Sequence, residues 1–88
     1  MKIYKYVISM EDIGRSFKIE LPSNHETVMV ALQNNYPYLW VLVNPESLEI
    51  TCKFRVVGTG WDVEEDEYYI GSWQDPPFVW HLFQEIIN

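Results

Sequence analysis

The plainest signal along this chain is a period of two. Leu48, Ile50, Cys52, Phe54 and Val56 fall on one side of a segment whose other side is Glu49, Thr51, Lys53 and Arg55. Successive side chains of an extended chain point to opposite faces, so this pattern predicts a strand with one buried face. Phe17, Ile19 and Leu21 alternate with Ser16, Lys18 and Glu20 in the same way. Lys2 to Ser9 is rich in Tyr, Ile and Val and reads as a first strand, and Met10 to Gly14, with Glu11, Asp12 and Gly14, suits a hairpin connection to the next. The run Thr27-Val28-Met29-Val30-Ala31-Leu32 fits helix or strand by apolarity alone; the two asparagines that follow, Asn34-Asn35, tolerate positive φ and favour a strand entering a tight turn.

Beyond that turn, Tyr38-Leu39-Trp40-Val41-Leu42-Val43 is apolar on both faces. This predicts a central strand, or one whose outer face meets a partner. Asn44-Pro45-Glu46-Ser47 marks another turn, Gly58-Thr59-Gly60 breaks the alternating segment, and positive φ would account for both glycines. The stretch Asp62 to Glu67 is dense in carboxylates and reads as an exposed loop. Tyr68 to Gln74 and Phe78 to Gln84 form a last hairpin across Asp75-Pro76-Pro77, and Glu85 to Asn88 frays or continues the strand. No segment joins a helical period to helix caps. The expected fold is all-β: a single domain over residues 1–88, a small antiparallel sandwich or partly open barrel of six to seven strands.

Composition agrees with a packed domain. Of the 88 residues 48% are hydrophobic and 16% aromatic, too many for a chain that stays disordered. The formal charge of −7 argues against binding nucleic acid through phosphates and against adsorption to anionic membranes. It fits solubility, or attraction to a basic partner. A single cysteine, Cys52, excludes an internal disulfide and fits a reducing compartment; with no targeting segment in view, the expected location is cytoplasmic.

Candidate chemistry is sparse. Cys52 lies on the apolar side of its strand, where burial suppresses the reactive thiolate. His25 falls in a polar turn and His81 among Val79, Trp80, Leu82 and Phe83, neither with a visible catalytic partner. One cysteine and two distant histidines lack the spacing of a zinc site, and the acidic loop lacks the spacing and internal glycine of a calcium-binding loop. No enzyme and no cofactor are expected. Lys53, Arg55, Thr59 and Trp61 form a candidate ligand site, in which two cations, glycine-loop amides and an aromatic plane would hold a nucleotide phosphate and base. The abundance of Tyr and Trp predicts that some reach the surface, with Tyr38, Trp40, Tyr68 and Trp73 as candidate interface residues. The outer face of the Tyr38 to Val43 strand would also permit a homodimer.

Five blocks follow one another through the chain: Lys2-Ile3-Tyr4-Lys5-Tyr6, Leu39-Trp40-Val41-Leu42-Val43-Asn44-Pro45, Phe54-Arg55-Val56-Val57-Gly58-Thr59-Gly60, Tyr69-Ile70-Gly71-Ser72-Trp73-Gln74 and Phe78-Val79-Trp80-His81-Leu82-Phe83. Together they resemble a family of short, uncharacterised proteins encoded mainly by bacteriophages and prophages. The resemblance implies action inside a bacterial host cell and brings no catalytic residue with it. The expected function is a non-enzymatic protein that docks on a basic surface of a host protein, such as an immune-defence factor, and inhibits it. A binder that sequesters a nucleotide signal is the alternative, and a minor virion or structural protein the next.

Overall fold

The structure is a computed structural model that describes residues 1–86. It contains seven strands: β1 (Lys2–Val7), β2 (Ser16–Pro22), β3 (His25–Gln33), β4 (Tyr36–Val43), β5 (Glu49–Gly58), β6 (Glu67–Asp75) and β7 (Phe78–Glu85). They form two antiparallel sheets, one of three strands in the order β1-β4-β3 and one of four in the order β2-β5-β7-β6. This is an open sandwich, the first of the two architectures that the alternation allows. Glu85 closes the last strand; the expectation for the two residues after Ile86 lies outside the described residues.

The sheets meet through the inward half of each alternation. Leu39, Val41 and Val43 of β4 face Cys52, Phe54 and Val56 of β5 and Trp73, Trp80 and Leu82 of the last hairpin in one buried cluster. Asn34 and Asn35 have φ of 53° and 65°, so the β3–β4 hairpin turns where two residues tolerate the left-handed conformation.

Met10 to Gly14 does not close a hairpin. β1 and β2 belong to different sheets, and the segment between them crosses the open side of the sandwich, burying Ile8 and packing Met10 and Ile13 on the core. The polar turn residues disguise a connection whose apolar members are the ones that cover the core.

At the opposite side β3 approaches β6, and Gly71 makes the approach possible: a Cβ at that position would lie 2.8 Å from Val30 Cβ and Cγ2. Gly71→Ala should therefore cost about 1–3 kcal/mol, the range for overpacking a close-packed core. The double variant Gly71→Ala with Val30→Ala should regain part of that loss. Urea unfolding of the four proteins in a double-mutant cycle measures the coupling.

Candidate functional site

β5 and β6 both run antiparallel to β7, so they are parallel to each other, and residues 59–66 must return along the sheet before β6 can begin. Arg55 fixes that return. From the outer face of β5 its Nε and Nη2 donate to Glu67 Oε2 and Oε1 at 2.9 and 2.6 Å, and Nη2 also donates to the Asp62 carbonyl at 3.0 Å. Glu67 Oε1 in turn accepts the Glu64 N–H at 3.0 Å. The side chains are only 16% and 7% exposed, so a forked, charge-assisted pair is largely removed from water. The hydrogen bond from Arg55 holds the Glu67 carboxyl below its ordinary range, against the opposing effect of burial.

Glu67 is therefore a buried ion-pair partner and not part of an exposed acidic loop. Arg55 is likewise committed, and its fork is unavailable to a phosphate. The four residues of the candidate ligand site do not converge. Lys53 is exposed on the outer face opposite Lys18; Arg55 sits in an open depression with Glu64, Asp66 and Glu85; Thr59 and Trp61 share a third place. Lys53 and Thr59 are six residues apart on one extended segment, about 20 Å at the rise of a strand.

Trp61 folds back over the end of the sheet. Gly58 needs no positive φ; it is small because Trp61 lies on it, a Cβ there falling 3.0 Å from Trp61 Nε1 and Cε2. The sequence reading assigned both glycines of this turn to positive φ, and only Gly60, at 91°, has it. Gly14 lies at the other edge of the same ring, where a Cβ would fall 3.2 Å from Trp61 Cζ3. Trp61 meets Trp80 edge to face at 6.1 Å, and Phe78 stacks on Trp80 at 5.1 Å. With Pro77 these rings wall an open cleft of about 360 Å³, with Thr59 and Val79 at its rim.

A hydrogen-bonded chain crosses the same face. Thr59 Oγ1 is hydrogen-bonded to His81 Nε2 at 2.9 Å and lies 3.4 Å from the Val79 carbonyl. Ser72 Oγ joins His81 Nδ1 at 2.7 Å and the Tyr69 hydroxyl at 2.7 Å, which extends the chain across the sheet. Sequence reasoning missed this chain because Ser72 and His81 become cross-strand partners only through the β6–β7 register. The row of hydroxyls holds the His81 ring in place on the outer face.

The other outer face has the opposite character. Ile3, Lys5 and Val7 of β1 stand opposite Leu42, Trp40 and Tyr38 of β4, which stand opposite Glu26, Met29 and Ala31 of β3. Ile3, Val7, Val28, Met29 and Tyr36 are exposed on this sheet, and Tyr38 and Trp40 are half-buried. Its lysine is occupied: Lys5 Nζ donates to Gln33 Oε1 at 2.9 Å and sits 4.6 Å above the Tyr38 ring. Of the four candidate interface residues, Tyr38 and Trp40 share this face and Tyr68 is exposed on β6. Trp73 must be reassigned. It is 6% exposed and belongs to the core, because a bulge at Ile70 shifts the alternation of β6 and turns Trp73 inward beside Trp80.

Cys52 is fully buried and burial pushes its thiol up. His25 Nδ1 donates to the Pro22 carbonyl at 2.7 Å. Among the described residues no group of three or more His, Cys, Asp or Glu side chains is placed to hold a metal ion, and no helix is long and apolar enough to cross a membrane.

The chain belongs to a family defined by a domain of unknown function, DUF7352, whose model matches residues 1–87. No curated protein and no solved structure matches it.

The Arg55–Glu67 pair sets an acid dependence. Glu67 ionises below its ordinary value in the folded state, so its contribution is complete above that ordinary value and is lost as pH falls through the lower, folded-state one. Glu67→Gln should cost about 1.5–3 kcal/mol at neutral pH, the range for hydrogen bonds to charged groups. The gap between variant and native protein should close as pH drops below about 4.3, the ordinary glutamate value. Denaturant unfolding of both proteins across that interval reads it directly.

Proposed function

We propose that this chain is a non-enzymatic protein-binding domain whose docking face is the outer side of the three-stranded sheet. One observation carries the reading: Ile3, Val7, Tyr38, Trp40 and Met29 form an apolar surface on three adjacent strands, crossed by Lys5 on its way to Gln33, while the outer side of the other sheet carries Lys18, Lys53, the Thr51–Glu20 hydrogen bond and the Arg55–Glu67 pair. A sandwich needs one buried face per sheet; a second apolar face on a sheet is the mark of an interaction surface. Aromatic anchors held rigidly by a strand lose little conformational freedom on binding, which is why Tyr and Trp dominate the energetics of interfaces.

The partner this surface fits is a protein with an apolar patch set in a basic surround. The formal charge of −7 would speed encounter with such a surface and repel acidic ones. In the phage setting that the resemblance implies, the partner is a protein of the bacterial host and binding inhibits it. The nucleotide alternative has no comparable support, since the four residues it requires are dispersed and Arg55 is already paired.

The test is a stoichiometric complex with a partner purified from host cells, with affinity measured for surface variants. Ile3→Glu with Met29→Glu should weaken it by about tenfold or more, the hot-spot range, at unchanged circular dichroism. Thr51→Ala on the opposite sheet should leave it intact, and rising salt should slow association. A complex that tolerates the double variant and loses affinity with Thr51→Ala would place the interface elsewhere.

A further inference from the structure

The sandwich has four edge strands, and three of them are blunted. β3 and β6 approach one another at Val30 and Gly71, and each carries a bulge, between Thr27 and Met29 and between Tyr69 and Gly71. β2 ends in Pro22 and sets the exposed charges Lys18 and Glu20 along its length. Bulges, proline and charge keep an edge from templating another chain. β1 has neither proline nor bulge. It pairs with β4 in unbroken register, every residue but Tyr6 is exposed, and the apolar Ile3 and Val7 are 56% and 53% exposed. Lys5, the charge at its middle, does not guard the edge: its Nζ turns inward over β4, 4.6 Å above the Tyr38 ring, to reach Gln33 of β3.

The same edge of a second copy complements it. Ile3, Lys5 and Val7 lie on the outer face and Lys2, Tyr4 and Tyr6 on the inner one. Directly opposite residues of an antiparallel pair share a face, so a two-fold partner sets odd positions against odd and even against even. With Tyr4 opposite Tyr4 of the copy, Ile3 meets Lys5, Lys2 meets Tyr6, and five of the six residues are paired. The next register in one direction sets Lys5 against Lys5, and in the other it pairs only three residues of the strand. In the favoured register no two lysines meet. The two Lys5 ammonium groups, each drawn back over β4, stand three strand spacings apart, about 14 Å, and the two Lys2 residues, at opposite ends of the paired segment, are also about 14 Å apart along it. Both separations exceed the Debye length of about 8 Å at physiological salt. Tyr4, whose ring is 6.5 Å from that of Tyr6, gains its own copy as a cross-strand neighbour, and a row of four tyrosines crosses the seam.

Charge selects this edge as well. Of the thirteen Asp and Glu residues only Glu26 lies on the three-stranded sheet, and it is on β3, the strand farthest from β1. Two copies, each of formal charge −7, thus meet at β1 with no carboxylate at the seam, whereas β2 would bring Glu20 with it and β6 would bring Asp75. We propose that β1 pairs with β1 of a second copy, antiparallel about a two-fold axis, so that the two three-stranded sheets become one of six strands in the order β3-β4-β1-β1-β4-β3. The contact is isologous and closes on itself. It leaves the outer side of the sheet free, so the docking face proposed above doubles in width, and neither proposal depends on the other. A six-residue edge buries less than a standard interface, so the dimer is reversible and fills as concentration rises.

Sedimentation of the full chain from micromolar to millimolar concentration should show its mass rising reversibly from one chain toward two. Tyr4→Lys, at an exposed site, sets two ammonium groups directly opposite at the seam and should weaken the dimer by about tenfold or more, at unchanged circular dichroism. Met29→Glu, which alters the outer face, should leave it intact and so separates the edge from a face-to-face dimer. Cysteines report the register. With oxidised glutathione as oxidant, Tyr4→Cys should link two chains through a disulfide, since directly opposite Cα atoms lie about 4.5–5.5 Å apart, within the span that a disulfide bridges. Ile3→Cys, about 8 Å from its copy, should link more slowly. The native Cys52 is buried and does not compete. The proposal is overturned by a mass that stays at one chain in millimolar protein, by a dimer that survives Tyr4→Lys or is lost with Met29→Glu, or by faster linkage through Ile3→Cys than through Tyr4→Cys.

Discussion

The arrangement of this domain hangs on the fork between Arg55 and Glu67. β5 and β6 run in the same direction on either side of β7, so the chain must return along the sheet between them, and residues 59–66 make that return without regular structure. A segment so poor in apolar residues has little to bury, and the guanidinium supplies what hydrophobic contact does not: three hydrogen bonds from one side chain to both ends of the connection. With the loop anchored at Asp62 and Glu67, Trp61 is held over Gly58 and Gly14, and the aromatic cleft exists because that ring is placed. One ion pair thus couples the topology of the four-stranded sheet to the shape of a surface at its end.

The two sheets divide labour through the same alternation of side chains. Buried inward positions are apolar in both, as a sandwich demands, apart from Gln84 of β7. Outward positions of the larger sheet are mostly polar or paired: Lys18 and Lys53 stand exposed, Tyr69 meets Phe83 edge to face, and the rest are joined by the ion pair, the Thr51–Glu20 hydrogen bond and the chain from Tyr69 to Thr59 through His81. Outward positions of the smaller sheet include exposed Ile, Val and Met whose burial would be favourable at roughly 25 cal/mol per Å². That asymmetry supports reading the smaller sheet as the side that meets another molecule.

Much of the fold was legible because period-two patterns are local. The strands, the asparagine turn between β3 and β4 and the last hairpin all follow from neighbouring residues. What escaped depends on residues distant in sequence or on a single irregularity. Met10 to Gly14 has the composition of a hairpin, and nothing local says that β1 and β2 lie in different sheets. Trp73 looks like a surface aromatic until the bulge at Ile70 reverses the parity of its strand. Arg55 and Lys53 look equivalent on one polar face, yet only one of them lies within reach of a carboxylate that arrives twelve residues later. The smallness of Gly58 and Gly71 is explained by Trp61 and Val30, which no turn rule connects to them.

The single thiol has a consequence of its own. Cys52 lies in the cluster between the two sheets, with no exposed surface, and burial disfavours its thiolate. A reagent in solution can reach it only when the sandwich parts, so the chain carries a built-in clock for the opening of its own interior. Because the chain has one cysteine and not several, that clock has one hand: its rate counts the separations of β5 from the sheet above it and is blind to fraying at the strand ends.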